Sequence, residues 1–357
     1  MSVSSAFAQT ETLPPSLANK IIQDMAWRSF VPKQEVQIIR TEKATLDGCL
    51  DVAPLDGLCQ AIGFPGWKVT IKARKNQWTY HAIRNGQFVL NGLGSIDKAM
   101  TNQVLAAAAW RSDLPISQLR INWVENKTWG NSCFDLPGIT NCINAKMPGW
   151  QVVVKDNKNQ SWVYRTGLSY SVLYDPAASK IVKNIPKDFT KATANTVLQD
   201  MSKRSGIPVN QLQVTKAESR TFNGCFNIAP PNTACNKMAL SGWRIIAEGY
   251  QQRWVYHVVP GKGVKLNGVE SVPRQLLNTL IQDNANLAKV PESQLKVHWV
   301  EQKVWTDDCR GLNSINTPNC NRGFFPGWIV KITDGSQIFT YHTAIFQGGV
   351  LHSTVKK

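Results

Sequence analysis

The sequence predicts an α+β protein of four tandem modules, each with one helix on a four-stranded antiparallel sheet and one disulfide within the module. Two observations predict this fold. A proline ahead of the first strand recurs at Pro32, Pro115, Pro208 and Pro291, at intervals of 83, 93 and 83 residues. Two cysteines and a Gly-Trp pair follow each proline at similar distances. A period of this length indicates repeated structural units and decides the domain count.

The cysteines predict the covalent framework. All eight lie in these units, two in each, and the two cysteines of a unit are 9 to 11 residues apart. An even count at repeated local spacing is typical of disulfides, whereas the two to four residues of a zinc knuckle would be shorter. The predicted bridges are Cys49–Cys59, Cys133–Cys142, Cys225–Cys235 and Cys309–Cys320. Because disulfides persist in oxidising compartments, we expect an extracytoplasmic protein of the periplasm, a thylakoid lumen or the cell surface, or a secreted one.

Hydrophobic periodicity predicts the order of elements within a unit. Leu17, Ile21 and Met25 recur every four residues, as on the buried face of a helix. After the proline, Leu119 and Ile121 alternate with polar residues, as in a strand with one buried face. The cysteine loop and three further strands follow. A helix with four strands is a two-layer unit whose core is thin, which explains why each unit carries a disulfide.

The repeats divide the chain into an N-terminal tail with a signal-peptide remnant (1–12), repeat 1 (13–94), repeat 2 (95–174), a linker (175–187), repeat 3 (188–269) and repeat 4 (270–357). Ala6 and Ala8 have the small-x-small spacing of a signal-peptidase site, although no apolar region precedes them; an unstructured polar tail is the alternative. The longer middle interval predicts two halves, repeats 1 with 2 and 3 with 4. No apolar run is long enough to predict a membrane span.

The order of helix, proline, glutamate, disulfide loop, Gly-Trp and Tyr-His over residues 13–357 resembles a four-repeat family of uncharacterised secreted bacterial, particularly cyanobacterial, proteins. The layout of one helix on a four-stranded sheet is also similar to PepSY-like and cystatin-like modules. The cystatin resemblance implies a Gln-x-Val-x-Gly inhibitory loop, which Gln151–Lys155 approaches, but Lys155 stands where the glycine is needed. No inhibitory residue is therefore carried over.

A glutamate ten residues after each proline is the first candidate for chemistry. In strand alternation it shares the parity of the apolar residues, so a strand without a bulge would point it toward the core, where a carboxylate must be hydrogen-bonded or neutral. We expect it to accept backbone N–H groups of the cysteine loop; a functional carboxylate is the alternative. The four structural carboxylates are Glu42, Glu125, Glu218 and Glu301.

The second candidate is a basic face on the opposite side of the sheet. The histidines that follow the repeated tyrosine take the outer parity, away from the expected side of the glutamates, so an acid–base pair is not expected. The possible binding face comprises Lys68, Lys72, His81, Arg120, Lys155, Arg165, His257 and His342. An ordinary solvated sheet face is the alternative.

Composition and motifs favour a non-enzymatic binding protein. No nucleophile elbow, phosphate loop or metal-binding His-Glu-x-x-His motif occurs, so no catalytic residue, metal or cofactor is predicted. Lys and Arg exceed Asp and Glu by 40 − 24 = 16, which favours anionic partners. We expect a secreted binding or scaffold protein that contacts a protein or an anionic surface polymer, without nucleic acid. The alternative is a protease inhibitor or protease-modulating protein.

Overall fold

The computed structural model describes residues 12–139, 142–168, 171–229, 233–312, 320, 322–344 and 349–356, and of residues 322–324, 326 and 350 it describes the backbone alone. The candidate signal-peptidase site at Ala6 and Ala8 lies outside these residues. The fold class is confirmed. Each repeat contains one 15-residue helix followed by four strands.

The elements follow the same order in every repeat. Repeat 1 comprises α1 (Pro15–Ser29), β1 (Val36–Leu46), β2 (Phe64–Ala73), β3 (Asn76–Ile83) and β4 (Phe88–Asn91). Repeat 2, after the short helix α2 (Gly92–Ser95), comprises α3 (Lys98–Ser112), β5 (Leu119–Asn131), β6 (Asn144–Asp156), β7 (Ser161–Gly167) and β8 (Val172–Lys180). Repeat 3 comprises α4 (Lys191–Ser205), β9 (Gln213–Phe222), β10 (Leu240–Gly249), β11 (Gln252–Val259) and β12 (Gly263–Asn267). Repeat 4, after the short helix α5 (Gly268–Ser271), comprises α6 (Arg274–Ala288), β13 (Lys296–Asp307), β14 (Arg322–Thr333), β15 (Gln337–Ala344) and β16 (Gly349–Lys356).

All four sheets are antiparallel meanders in which neighbours in sequence are neighbours in space. In repeat 1 the helix buries Leu17, Ile21 and Met25 against the inner face of the sheet, as the periodicity predicts. The residue after each long helix is left-handed, and the repeated proline follows two residues later. Because proline cannot continue a helix, this turn leads directly into the first strand.

A β-bulge interrupts the first strand of every repeat at the same place. The pairing skips one residue in each case, namely Ile39, Asn122, Thr215 and His298. An extra residue moves every later side chain to the opposite face of the sheet. Trp299, which by simple alternation would be buried, is consequently 41% exposed.

The repeats pack in pairs that share a core. One hydrophobic cluster contains residues of repeats 1 and 2, and a second contains residues of repeats 3 and 4 together with Trp110 of repeat 2. The rings of Trp78 and Trp150 meet directly across the first pair, with centroids 4.9 Å apart. Helix α2 packs on β5 so closely that a Cβ atom at Gly92 would lie 2.0 Å from the Val124 carbonyl oxygen, and α5 packs on β13 in the same way.

The connection between the pairs differs from the expected linker. Strand β8 continues through Lys180, so residues 175–180 of the segment expected at 175–187 belong to a strand, in which Asp175 pairs with Val163 and Lys180 with Ser161. Asn184 then forms an isolated bridge with Lys216 of β9. Among the described residues, no helix has the length and apolar character needed to cross a membrane.

Candidate functional site

The disulfides confirm the four predicted pairings, each within its own repeat. The Cα atoms of the two bonded cysteines are 5.5 to 5.6 Å apart in each bridge. Four structural disulfides of this kind indicate an extracytoplasmic environment.

A polar residue two positions before the first cysteine shapes each disulfide loop. In repeat 1 one oxygen of Asp47 accepts the N–H groups of Cys49 and Asp51, at 2.9 and 2.7 Å. Asn131, Asn223 and Asp307 occupy the same position in the other repeats and accept loop N–H groups. The two residues after the cysteine have positive φ in every repeat. The loops therefore start with one common conformation.

The repeated histidine fixes this loop to the outer face of its own sheet. His81 Nδ1 lies 2.6 Å from the carbonyl oxygen of Leu50, and His257 Nδ1 lies 2.7 Å from that of Phe226. His342 makes the same contact with Arg310 at 2.9 Å. Because a carbonyl only accepts, each Nδ1 carries the proton. Burial lowers the pKa of His81 and of His342, and the hydrogen bond to the loop carbonyl, which raises the pKa, offsets this only in part. The lowered pKa favours a neutral ring.

Repeat 2 replaces the histidine with an arginine and compensates for the charge. Arg165 donates from Nη1 to the Phe134 carbonyl at 2.8 Å, so the contact with the loop is conserved. In repeats 1 and 3, Asn91 and Asn267 donate to Nε2 of the histidine. At the matching strand position repeat 2 has Asp175, which is buried and accepts from Arg165 Nε at 2.8 Å. In both the His/Asn and the Arg/Asp pair, the first residue therefore holds the disulfide loop against the sheet and the second residue contacts the first.

These contacts correct the expected basic binding face. His81 and His257 are buried under the loops, Lys68 pairs with Asp51 at 3.3 Å, and Arg165 pairs with Asp175. Lys155 pairs with Asp56 of the repeat 1 loop. Lys72 and Arg120 remain exposed. Because the disulfide loops cover much of the outer sheet faces, the four repeats do not present one common basic surface.

The structure also corrects the expected burial of the glutamates. The bulge turns Glu42, Glu125, Glu218 and Glu301 to the outer face, the same face as the histidines. Glu42 pairs with Arg40, and Glu125 with Lys127. Glu218 pairs with Lys216, Arg220 and Arg244, while Glu301 is exposed. A carboxylate that accepts cations at the surface does not hold the cysteine loop, so its replacement by alanine is not expected to cost the stability of a buried group.

The densest polar cluster of the described chain lies at the junction between repeats 2 and 3. Arg111 of α3 pairs with Glu248 of β10 at 2.9 Å, and both side chains are less than 5% exposed. Its guanidinium also stacks on the ring of Tyr174, 4.0 Å from the centroid. The side chain of Gln251 adds two hydrogen bonds across the junction. It donates to the Tyr174 carbonyl at 2.9 Å and accepts from the Tyr174 N–H at 2.7 Å.

Asp113, the residue that ends α3, inserts its carboxylate among three cations of repeat 3. It accepts from Arg244 Nη1 at 2.9 Å, from Lys216 at 3.0 Å and from Arg253 at 3.1 Å. Burial alone would raise the pKa of Asp113, but the hydrogen bond from Arg244 and the charges of Arg253 and Arg244 lower that pKa to about 2. The carboxylate is therefore charged throughout the neutral range and joins the two halves electrostatically.

A lysine-rich surface segment lies beside this junction. Lys180, Lys183, Lys187 and Lys191 are exposed, and none of them forms an ion pair with a residue that the structure describes. Asp188 is the one acidic residue between Lys180 and Lys191. We call residues 180–191 the junction segment.

A family model described as "Domain of unknown function (DUF8738)" matches the chain four times, at residues 18–91, 101–174, 194–265 and 277–351. These matches cover more than half of the sequence and fall one in each repeat. The chain belongs to the DUF8738 family. A comparison with curated proteins found no match. The junction segment lies between the second and third DUF8738 matches, outside both.

The DUF8738 repeats differ from one another where the junction forms, and this difference is the signal that sequence reasoning missed. Asp113 occupies the left-handed position after the helix that is Phe30, Gly206 and Lys289 in the other repeats. Glu248 likewise stands where repeat 1 has Lys72. Comparison of the repeats at these positions would have indicated residues with a task outside the common fold.

The lowered pKa of Asp113 predicts acid sensitivity of the junction. A carboxylate whose folded pKa is about 2, against about 3.9 unfolded, stabilises the protein above pH 4, and this stabilisation is lost as the pH falls toward 2. We expect the free energy of unfolding to fall less, by about 2 kcal/mol, between pH 6 and pH 2 in Asp113→Asn than in the parent. Denaturant titrations at both pH values measure this difference. Asp188→Asn, an exposed aspartate, is the control and should leave the pH dependence unchanged.

Proposed function

We propose that the protein is a non-enzymatic extracytoplasmic binding protein that contacts an anionic surface polymer through the junction segment. The observation that carries this proposal is the group of four exposed lysines, free of ion pairs with described residues, beside the buried Arg111–Glu248 ion pair that joins repeats 2 and 3. Lys68, Lys155 and Arg165 on the sheets each have a carboxylate partner, whereas these four lysines follow one another in a single segment and have none among the described residues. The overall excess of 16 positive charges adds a favourable long-range field.

We also propose the origin, location and relationship that the sequence resemblance implies. A bacterial origin, secretion to the periplasm, lumen or cell surface, and a PepSY-like or cystatin-like relationship are consistent with the disulfides and the two-layer repeats. The proposal moves the contact from the repeated sheet faces to the junction, because the disulfide loops cover those faces.

The proposal predicts that retention on a sulfated polysaccharide depends on the junction segment. We expect Lys183→Glu with Lys187→Glu to elute at a clearly lower salt concentration than the parent, since exposed charges act over about 8 Å at physiological ionic strength. Lys262→Glu with Lys289→Glu changes the net charge equally at two exposed positions and is the matched control. Equal shifts for both double variants would contradict a localised site, and no retention of the parent at low salt would contradict polymer binding.

Protease inhibition is the second candidate, and one loop favours it. The disulfide Cys49–Cys59 closes a loop in which Leu55 is 58% exposed and Leu58 is fully exposed. An apolar side chain held out on a disulfide-closed loop fits the pocket of a protease. Slowing of a protease by the parent and not by Leu58→Asp would favour this candidate.

A further inference from the structure

The first strand of repeats 2, 3 and 4 is covered along its outer edge by a segment that precedes it in the chain. In β9 the Thr215 carbonyl accepts the Asn184 N–H, and the Ala217 N–H donates to the Asn184 carbonyl, both at 3.0 Å. In β5 the Asn122 carbonyl accepts the N–H of Leu55, in the repeat 1 disulfide loop, at 3.1 Å. The short helices α2 and α5 pack on β5 and β13. These contacts satisfy backbone groups that point away from the neighbouring strand of the sheet.

Strand β1 belongs to the first repeat, and no such cover lies on it among the described residues. It pairs with β2 and forms the end of its sheet. The bulge residues Ile39 and Thr215 occupy the same place in β1 and β9. Thr41, two residues after the bulge, therefore corresponds to Ala217. It follows that the Ile39 carbonyl and the Thr41 N–H lie at the outer edge of β1, as their counterparts do in β9.

Exposure to solvent separates β1 from a covered first strand. All five residues from Ile39 to Lys43 are exposed, whereas none of the equivalent residues 122–126 of β5 is. Thr41 is exposed, while its counterparts Val124 and Ala217 are each 2% exposed. An edge strand with unpaired N–H and C=O groups is a template for pairing with a further strand. The open edge of β1 is therefore an interaction surface.

We propose that β1 pairs with β1 of a second copy of the chain, in an antiparallel arrangement with Thr41 on the two-fold axis. In this register Arg40 lies opposite Glu42 of the second copy, and both side chains are on one face of the sheet. The symmetry repeats the contact, so an ion pair flanks the axis on either side. Arg40 and Glu42 are available for it, because their side chains are 68% and 48% exposed and pair with each other in the single chain.

The backbone bonds of this pair use the groups that the open edge offers. The Thr41 N–H of each copy donates to the Thr41 carbonyl of the other, and the Lys43 N–H donates to the Ile39 carbonyl of the other copy. These bonds join the two four-stranded sheets of repeat 1 into one continuous sheet. The contact uses no residue of the junction segment, so it goes beyond the polymer contact proposed above and does not depend on it.

The first test is sedimentation equilibrium of the full chain over a range of concentrations. We expect the parent to approach twice the mass of one chain as its concentration rises. Thr41→Pro removes the N–H that points away from β2, so the repeat 1 sheet should stay paired while the dimer is lost. Its melting temperature shows whether it folds. A parent that stays monomeric at the highest soluble concentration, or a folded Thr41→Pro that dimerises like the parent, would overturn the proposal.

Charge exchange tests the register and does not depend on the proline variant. Arg40→Glu places like charges opposite each other on both sides of the axis and is expected to weaken the dimer about tenfold. Adding Glu42→Arg restores opposite charges and should recover the dissociation constant of the parent. Lys72→Glu, at an exposed position of the neighbouring strand β2, changes the net charge equally and is the matched control. Equal weakening in the control, or no recovery in the double variant, would contradict the assignment.

Hydrogen exchange at the Thr41 N–H separates a second copy from other occupants of the edge. We expect this group to exchange freely in dilute solution and to become protected as the dimer forms. The Ala217 N–H, which is bonded to Asn184 of the same chain, is the control and should be protected at every concentration. Protection of Thr41 that is already complete at high dilution would show that the same chain covers the edge, and the proposal would be wrong.

Discussion

Replacing Glu248 by alanine is expected to lower the free energy of unfolding by about 3–5 kcal/mol, the largest effect of any single exchange at the junction. Arg111 would then be a buried guanidinium without its ion-pair partner. Burial alone would lower the pKa of Arg111, but the Glu248 carboxylate raises that pKa above its ordinary value. Without Glu248 that favourable interaction is lost, but a guanidinium is too basic to release its proton in a protein. The charge persists after the exchange, and its desolvation is no longer compensated.

The matched control removes both charges. Arg111→Met with Glu248→Met keeps the volume and leaves no unpaired charge, so it should recover most of the stability lost in Glu248→Ala. Denaturant titration of Arg111→Met, Glu248→Met, the double variant and the parent gives the coupling free energy. A double variant as unstable as Glu248→Ala would show that the ion pair itself, rather than the cost of an unpaired charge, stabilises the junction.

Replacing His81 by arginine is expected to destabilise repeat 1 by about 2–4 kcal/mol, and adding Asn91→Asp is expected to recover most of that loss. The single exchange buries a guanidinium beside an amide, which offers no charge. The double exchange recreates the pair that repeat 2 uses, where Arg165 contacts both Asp175 and the loop carbonyl.

A double-mutant cycle measures this compensation. Asn91→Asp alone places a carboxylate next to a neutral imidazole and should also destabilise, so we expect a favourable coupling energy of about 2 kcal/mol. Purely additive effects would contradict the equivalence of the His/Asn and Arg/Asp pairs.

Local patterns made the elements of this fold predictable from the sequence. The four-residue spacing of Leu17, Ile21 and Met25 and the two cysteines per repeat each depend on a few neighbouring residues, and the structure confirms both. The side of the sheet on which Glu125 lies could not be predicted. The bulge at Asn122 adds one residue to the strand and reverses the alternation of faces, and the residue types around it do not indicate a bulge.

The candidate site was harder to predict because its contacts join distant parts of the chain. His81 fell on the outer face as expected, but the path of the disulfide loop determines whether that face is open. Arg111 and Glu248 are 137 residues apart, and in the sequence each stands among residues of an ordinary amphipathic element. No local pattern in the sequence indicates that two such residues will be buried against each other.

The pairwise cores have a consequence for how such chains lengthen. Repeats 1 and 3 each end in the Asn-Gly turn that leads into a short helix against the next repeat, at Asn91-Gly92 and Asn267-Gly268, whereas Lys180 leads from repeat 2 into the junction segment. A gene that gained one repeat would encode a repeat whose apolar contact surface for its pair partner stays uncovered. Duplication of a two-repeat block avoids this intermediate, so the heritable unit is the pair, and related chains with two, four or six repeats are expected to outnumber those with three or five.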